Sequence, residues 1–342
     1  MDKRVIFAVA GSGKTTHLIS KLSLEKRALI ITYTENNYSH LRNSIIKKFG
    51  TLPSNITVMT YFAFLHGFCF RPFMQNEMNS RGLNFRRPPQ RNYALTDRER
   101  YRDPSGRLYH NRLAKLIEVE GLLPGVKARI ERFYDSVYVD EVQDFAGHDF
   151  NLLLQVSAAN TAMLFVGDFY QHTFDTSRDG SVNSTLHDDI TKYEKRFAKA
   201  KIKVDKDTLS KSWRCGTTVC DFITAHLQIK IDSHKGRVTE IIKVDTQELA
   251  DRLHGDHSIV KLFQEQHYKY GCYSQNWGAS KGQDHYEDVC VVMGAKAWKQ
   301  YQEGKLGEAV AQTRNKLYVA FSRARGGIYI ASDKLFKGYK SP

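Results

Sequence analysis

The sequence predicts an α/β fold with parallel sheets, and three observations lead to this expectation. Short apolar runs alternate with segments of helical spacing over the first 60 residues. The same alternation returns after residue 134 and again towards the C-terminus. A glycine-rich turn also follows directly on the first apolar run. Strands that alternate with helices indicate a parallel sheet with helices on its faces, because each crossover needs a helical connection.

The first elements follow from this alternation. Strands are expected at Val5 to Val9, Ala28 to Thr32 and Ile56 to Met59, where apolar residues are continuous. Helices are expected at Lys14 to Leu24 and Asn36 to Phe49, where apolar residues recur at helical spacing. We therefore expect the chain to begin with two strand–helix units.

Residues from about 61 to 134 break the alternation and are expected to form an insertion. The stretch from Arg81 to Arg112 holds nine arginines. Pro88-Pro89 and Asp103-Pro104 favour turns within it. Whether this basic segment binds a nucleic-acid backbone or is a solvated surface stays open.

The alternation then resumes to the end of the chain. A Lys-rich bridge or solvated helix is expected at Lys192 to Lys206. The remaining expected elements are strands at Ser136 to Val139, Ala162 to Val166, Val289 to Met293 and Ile328 to Ala331, and helices at Thr217 to Leu227 and Ala309 to Ala324.

Composition limits the classes of function. The 342 residues carry 51 Lys plus Arg against 37 Asp plus Glu, a net charge of +14, which favours a polyanionic partner such as nucleic acid. No apolar run approaches the roughly 20 residues that span a bilayer, so no membrane partner is expected. The five cysteines form no Cys-x-x-Cys pair, which argues against a disulfide framework or a zinc site. A cytoplasmic protein is expected.

The strongest motif is the run Ala8-Val9-Ala10-Gly11-Ser12-Gly13-Lys14-Thr15-Thr16. A strand enters it and a helix leaves, which is the context of a phosphate-binding loop. Gly11 and Gly13 let backbone N–H groups approach phosphate oxygens. Lys14 would reach the β- and γ-phosphates, and the Thr15 hydroxyl would bind Mg²⁺. The predicted nucleotide-binding residues here are Gly11, Ser12, Gly13, Lys14, Thr15 and Thr16.

A second motif narrows the choice among phosphate-loop proteins. Val137-Tyr138-Val139-Asp140-Glu141-Val142-Gln143-Asp144 places two carboxylates at the end of an apolar strand. Asp140 suits the Mg²⁺ shell, and Glu141 suits a base that polarises the attacking water. The two motifs together predict an ATP hydrolase that uses Mg²⁺.

With these residues in view, the chain resembles the superfamily-one DNA helicases of the UvrD/Rep/PcrA type. The phosphate loop and the Asp-Glu-x-Gln-Asp pattern are typical of that group. Later segments resemble its further motifs in the same order: Thr32-Tyr33-Thr34, Val58-Met59-Thr60-Tyr61-Phe62, Val166-Gly167-Asp168-Phe169-Tyr170-Gln171, Leu209-Ser210-Lys211-Ser212-Trp213-Arg214, Ser280-Lys281-Gly282-Gln283-Asp284 and Tyr318-Val319-Ala320-Phe321-Ser322-Arg323-Ala324-Arg325.

The resemblance implies two RecA-like lobes, each a mainly parallel sheet flanked by helices, with ATP between them. The first lobe would cover residues 1–205 with the basic insertion at about 61–134. The second would cover 206–342 with only a short insertion at about 228–275. Gln171 would sense the γ-phosphate, and Asp284 would meet the ribose. Arg214 and Arg323 would be the cations for charge that develops on the transferred phosphoryl group.

The resemblance also implies contacts with single-stranded DNA. Two of the matching segments include Thr34 and Thr60, and aromatic rings near strand edges can stack bases. Tyr33, Tyr61 and Phe174 are the stacking candidates, with core packing as the alternative for each. The implied activity is 3′-to-5′ translocation on single strands or tailed duplexes, with unwinding left open.

Departures from the family keep other readings open. No Gln-bearing segment, which reads adenine in the family, precedes the loop, so selectivity for ATP stays open. Only about 65 residues separate Arg214 from Lys281, where relatives carry a large accessory domain. Thr176 stands where relatives have a stacking Trp, and Asn276 and Gly278 replace a Thr and a His. The alternatives are an ATPase switch subunit of a larger complex, with a protein partner, and a binding module whose ATPase has decayed.

Overall fold

The α/β fold expected from the sequence is confirmed: parallel sheets flanked by helices make up the chain. The computed structural model describes residues 2–89, 93–173 and 179–342. The chain forms two units. The first contains Lys14–Gly167 with the segments that end at Ile6 and Asp205. The second contains Lys206–Pro342 together with Phe7–Gly13 and Asp168–Thr173.

The first unit is organised around a six-stranded sheet. In chain order the strands of this unit are β1 (Lys3–Phe7), β2 (Ala28–Thr32), β3 (Ile56–Thr60), β4 (Leu83–Asn84), β5 (Leu108–Tyr109), β6 (Ser136–Asp140), β7 (Ala162–Gly167) and β8 (Lys203–Asp205). The sheet order is β3-β2-β6-β7-β1-β8, while β4 pairs with β5 separately. The pairs β2–β3, β2–β6 and β6–β7 are parallel. Their carboxyl ends therefore meet at one edge, where Thr32, Thr60 and Asp140 end their strands.

All five residues of β2 and of β6 are buried, which explains why these strands are continuous in apolar residues and do not alternate. The helices of the unit are α1 (Lys14–Ser20), α2 (Glu35–Phe49), α3 (Tyr61–Ala63), α4 (Arg71–Met78), α5 (His110–Val119), α6 (Leu123–Phe133), α7 (Gly147–Val156) and α8 (Ile190–Lys199). The Thr34 side chain caps α2 by accepting from the Asn37 N–H, and Gly50 ends it in the left-handed region.

The predicted insertion at 61–134 is largely helical. It contains α3 to α6, the short pair β4–β5, and a π-helix at Phe64–Phe70 that joins α3 to α4. Five of the seven residues in the π-helix are buried. The arginines and prolines of the insertion hid this regularity from the sequence. A charged residue interrupts the apolar periodicity of a helix even where the aliphatic part of its side chain packs on the surface.

The second unit contains a five-stranded sheet in which every neighbouring pair is parallel. The strands of this unit are β9 (Lys211–Ser212), β10 (Asp232–Ser233), β11 (Ile241–Val244), β12 (Val260–Phe263), β13 (Ser274–Asn276), β14 (Val289–Met293) and β15 (Ile328–Ser332). The sheet order is β11-β15-β14-β12-β13, and β9 pairs with β10 separately. Its helices are α9 (Thr217–Leu227), α10 (Gln247–Gly255), α11 (Ala295–Gln302) and α12 (Ala311–Phe321).

Residues 228–275, expected to be a short insertion, contain β11 and β12 of this sheet. Both strands are only four residues long, and each carries a lysine. Lys261 is nevertheless buried within β12, where its ammonium group donates to the Asp256 and Ile259 carbonyl oxygens. A charged residue inside a buried strand removes the apolar run by which strands are recognised. No helix in the described part of the chain is long and apolar enough to cross a membrane.

Candidate functional site

The glycine loop follows β1, as the sequence predicts, and turns through two left-handed positions. Gly11 has φ of 69° and Gly13 has φ of 84°, which side chains rarely adopt. Space also requires glycine at position 11, because a Cβ there would lie 2.7 Å from Arg214 Cβ and 2.8 Å from Ser212 Oγ. The Gly11 carbonyl accepts a hydrogen bond of 2.9 Å from the Trp213 N–H. In the second unit, the loop therefore lies directly against the segment that carries Arg214.

The carboxyl end of β6 brings two acidic groups close to the start of α1. Glu141 Oε1 lies 3.8 Å from Lys14 Nζ. Glu141 has φ of 53° and ψ of 48°, a left-handed conformation that costs a non-glycine residue about 1–2 kcal/mol. Gln143 Nε2 donates to Glu141 Oε2 and holds the carboxylate from the other side. A conformation strained in this way is typical of functional sites, where the surrounding structure maintains it.

Asp140 is buried at 3% exposure, and its Oδ1 has no hydrogen-bond partner among the described residues. Burial raises the pKa of this carboxyl group to about 7, and the negative charge of Glu141 adds to the effect, against the opposing charge of Lys14. A divalent cation would satisfy the orphaned oxygen and favour the ionised form. Carboxylate and hydroxyl oxygens are ligands that suit Mg²⁺. The unpartnered Asp140 Oδ1 therefore fits a magnesium ion, and Thr15 as a second ligand stays a prediction.

Gly167, at the end of β7, packs against the acidic segment. A Cβ at this position would collide with Gln143 Oε1 and would lie 2.8 Å from Val142 Cγ1. The φ of Gly167 is not in the left-handed region, so close packing alone requires glycine at this position.

In the second unit, Gln171 is buried in a short 3₁₀ turn, Phe169–Gln171.

Tyr318 on α12 connects two of the predicted motifs within the second unit. Its hydroxyl accepts a hydrogen bond of 2.8 Å from the Ala10 N–H and donates one of 3.0 Å to Asp168 Oδ2. Burial raises the pKa of this phenol well above its ordinary value, and the Asp168 charge raises it further, so the proton stays on the oxygen. From the sequence, Tyr318 is expected only as part of a motif, and no role is predicted for it.

Arg214 and Arg323 converge on Asp284 in the second unit. Arg214 donates to Asp284 Oδ1 and to the Ser322 carbonyl, the latter at 3.0 Å. Arg323 Nη1 lies 3.4 Å from the same carboxylate oxygen, and its Nε donates to the Val319 carbonyl. Burial and the Arg214 charge lower the pKa of Arg323 to about 10. Asp284 thus pairs with both arginines in this structure, and its predicted contact with a ribose stays a prediction.

Trp213 offers an exposed flat face beside the glycine loop. It is 55% exposed and stacks on His234 at 3.8 Å between ring centroids, with 12° between the planes. The position of a Cβ on Gly13 lies 3.8 Å from the Trp213 ring. The sequence placed Trp213 only as the aromatic residue before Arg214. Trp213 directly follows β9 and His234 directly follows β10. The stack between the two rings could not be found from the sequence, because it depends on the pairing of these two short strands.

Four of the five residues predicted to contact DNA lie at the ends of β2 and β3. Thr34 and Thr60 are half-buried and cap α2 and α3, respectively. Tyr61 is fully buried, and its ring packs edge-on against Phe145 at 4.8 Å, as in the core-packing alternative. Tyr33 is mostly buried and borders a cavity of about 470 Å³ at these strand ends. Phe174 lies outside the described residues.

Comparison with known proteins shows a likeness at the level of fold. The sequence matches no protein-family model and none of the curated proteins. Two structures of the arterivirus nonstructural protein 10 helicase, one of them in complex with DNA, align with TM-scores of 0.51 at 15% identity. They cover 98% and 99% of this chain and 63% and 62% of their own chains. A helicase structure from PRRSV aligns with a TM-score of 0.48 at 15% identity, over 97% of this chain and 52% of its own. The chain shares the fold of the two nonstructural protein 10 structures and spans less than two thirds of their length.

Proposed function

We propose that this chain hydrolyses ATP with Mg²⁺ and uses the energy to move along single-stranded nucleic acid, as a helicase or translocase of the UvrD/Rep/PcrA type. The observation that carries the proposal is the grouping of Lys14, Glu141 and the orphaned Asp140 carboxylate at the start of α1. A cation, a base and an unsatisfied acidic ligand are the groups that hydrolysis of a nucleoside triphosphate requires.

Each group has a distinct task in this proposal. Lys14 neutralises charge on the β- and γ-phosphates, while Gly11 and Gly13 let backbone N–H groups of the loop approach phosphate oxygens. Thr15 and Asp140 hold Mg²⁺, which when bound neutralises charge on the phosphate oxygens. Glu141 accepts a hydrogen bond from the attacking water and takes its proton, and Gln143 fixes the direction of that carboxylate.

The arginines of the second unit belong to the same proposal. Arg214 packs its Cβ against Gly11 of the phosphate loop, so its position depends on that loop. Arg214 and Arg323 supply positive charge where negative charge develops on the transferred phosphoryl group. Gln171 senses the γ-phosphate, and Asp284 holds the two guanidinium groups until nucleotide binds. Trp213 provides a face on which the nucleobase stacks without being read by hydrogen bonds.

The nucleic-acid side of the proposal rests on the ends of β2 and β3 and on the surplus of 14 positive charges. Thr34 and Thr60 would contact the strand, and Tyr33 would border the bases. The arterivirus structure in complex with DNA is a precedent for nucleic-acid binding by this fold.

The test is ATP hydrolysis measured without nucleic acid, with single-stranded DNA and with single-stranded RNA. We expect strong stimulation by a single strand, and the better activator identifies the track. Turnover that ignores both would favour the alternative of an ATPase switch subunit within a larger complex. No turnover under any condition would contradict the proposed activity.

Direction of movement needs a separate experiment. Oligonucleotides with streptavidin bound at one end distinguish the polarity, because a translocase displaces the block that it runs into. The 3′-to-5′ movement implied by the resemblance predicts displacement from the 5′ end only. Tailed duplexes then test unwinding by this chain alone.

A further inference from the structure

Three aromatic rings form a connected group where the insertion meets the end of β3. Phe62 in α3 lies 5.2 Å from Phe85 and 5.3 Å from His110, both in edge-to-face geometry. Phe85 and His110 stack at 5.1 Å with 26° between their planes. Phe85 is nevertheless 62% exposed, a large value for a phenylalanine that already touches two rings. His110 stacks on one face of the Phe85 ring, and much of the rest of the ring is open to solvent.

The local structure holds Phe85 in this exposed position. The preceding residue, Asn84, donates from Nδ2 to Asp103 Oδ2 at 2.7 Å and accepts from the Arg86 N–H at 2.8 Å. Its carbonyl oxygen lies 3.1 Å from His110 Nδ1. Because a carbonyl can only accept, Nδ1 carries the proton. The backbone on both sides of Phe85 is therefore fixed, and a ligand would not have to order this segment.

A cavity of about 470 Å³ opens beside Phe85. Its lining combines strand ends and insertion and includes Tyr33, Thr60, Phe62, His66 and Phe85. His66 lies in the π-helix, and its Nε2 is buried without a hydrogen-bond partner among the described residues. An aromatic wall of this kind suits a flat heterocycle.

The eight arginines that the structure describes between residues 81 and 112 fall into two groups. Arg98, Arg100, Arg102 and Arg112 each pair with a carboxylate. Arg81, Arg86, Arg87 and Arg107 are exposed and form no ion pair with any residue that the structure describes. Two of these unpaired arginines directly follow Phe85 in the chain. An exposed aromatic ring next to uncompensated cations is the combination that binds a base and its phosphates.

We propose that the insertion contributes a base-binding site to the nucleic-acid track, in which a base of a single strand stacks on Phe85 and enters the cavity beside His66. This inference rests on the proposed function, and it adds the insertion to the strand ends as a binding surface. Arg86 and Arg87 contact the neighbouring phosphates. The site takes bases of any identity by stacking, because every base has an aromatic face.

The test compares two exposed phenylalanines of the first unit. Phe85→Ala removes the stacking ring. Phe133→Ala is the matched control, since Phe133 is 41% exposed and borders a different cavity of about 550 Å³. Binding of labelled single-stranded DNA and RNA to the full chain is measured by fluorescence anisotropy. We expect Phe85→Ala to weaken binding about tenfold and Phe133→Ala to leave it unchanged, with Phe85→Trp retaining affinity.

A spectroscopic readout separates stacking from a general effect on folding. Phe85→Trp places an indole in the site, and its emission should be quenched when a single strand binds, relative to the wild-type protein. Replacing single bases of the strand by abasic positions should reproduce the loss seen in Phe85→Ala and add nothing to it in that variant.

The outcomes separate this inference from the proposed function. If the wild-type chain binds and is stimulated by single strands while Phe85→Ala binds equally well, the inference is overturned and the proposed function stands. If the wild-type chain binds no single strand, both fail. Equal weakening in Phe85→Ala and Phe133→Ala would also overturn it, because it would indicate a general loss of structure.

Discussion

At the level of single residues, Lys14 and Glu141 should fail in different ways when they are substituted. Lys14→Ala removes the cation that holds the phosphates, so we expect loss of both nucleotide binding and turnover. Glu141→Gln keeps the size and the contact with Gln143 but removes the base. It should still bind ATP while turnover falls about 10²–10⁴-fold. Binding of a fluorescent ATP analogue and steady-state hydrolysis measure the two effects, and unchanged turnover in Glu141→Gln would move the base elsewhere.

Gly11 allows a sharper test of the phosphate loop. Gly11→Ala forces a side chain into a left-handed position and against Arg214 and Ser212, whereas Gly304→Ala has nearly the same φ, 70°, with open space around it. The shared conformational cost is about 1–2 kcal/mol. We expect both variants to lower the free energy of unfolding, and only Gly11→Ala to weaken nucleotide binding, by about tenfold or more. Equal nucleotide affinity in the two variants would show that the contact with Arg214 is unimportant.

Some of the candidate site follows from local sequence, and some does not. Lys14 and Glu141 stand directly at a loop–helix and a strand–loop junction whose residue types indicate their chemistry, so their proximity could be expected. Tyr318 could not be assigned, because its hydrogen bonds reach Ala10 and Asp168 across 308 and 150 positions of sequence. The burial of Tyr61 was equally hidden, since an aromatic residue after a strand suits a core and a binding surface alike.

At the level of elements, the insertion depends on a buried ion pair that can be tested. Asp179 pairs with Arg100 and, at 3.1 Å, with Arg112, and the Asp179 and Arg112 side chains are only 7% and 8% exposed. Asp179→Asn leaves two buried cations without their partner, which costs about 3–5 kcal/mol of folding free energy. The exposed pair Arg27–Asp135 provides the control, because Asp135→Asn should change stability little. Urea unfolding of both variants measures the difference, and equal midpoints would contradict a structural role for Asp179.

The elements themselves were predictable where burial leaves an uninterrupted apolar run in a strand or apolar residues at helical spacing in a helix. Ala28–Thr32, Thr217–Leu227 and Val289–Met293 were expected with the bounds that the structure has. The helices of the insertion and the strands β11 and β12 were not, because arginine and lysine side chains interrupt the pattern while their backbones remain regular. Tertiary packing, which a single sequence does not display, decides such segments.

At the level of the whole molecule, the chain crosses between its units more often than its linear order indicates. Phe7–Gly13 and Asp168–Thr173 lie in the second unit although the sequence around them belongs to the first. The glycine loop thus passes from one unit to the other between Gly13 and Lys14. A linear division of the chain at residue 205 cannot describe this assignment of segments. The assignment depends on contacts such as those of Gly11 with Arg214 and of Asp168 with Tyr318.

The net charge of +14 gives the last prediction, which concerns the dependence of binding on salt. Each phosphate that a cation neutralises on a single strand releases counterions, so the logarithm of the affinity falls with the logarithm of salt concentration by about 0.7 per contact. Substituting both Arg86 and Arg87 by Gln should therefore reduce this slope by about 1.4. Arg98→Gln is the control, because Arg98 already pairs with Glu77 and Glu120 and has little charge to offer a phosphate. Affinities for a single strand across a salt series give the slopes, and an equal slope in all three proteins would show that Arg86 and Arg87 do not contact phosphates.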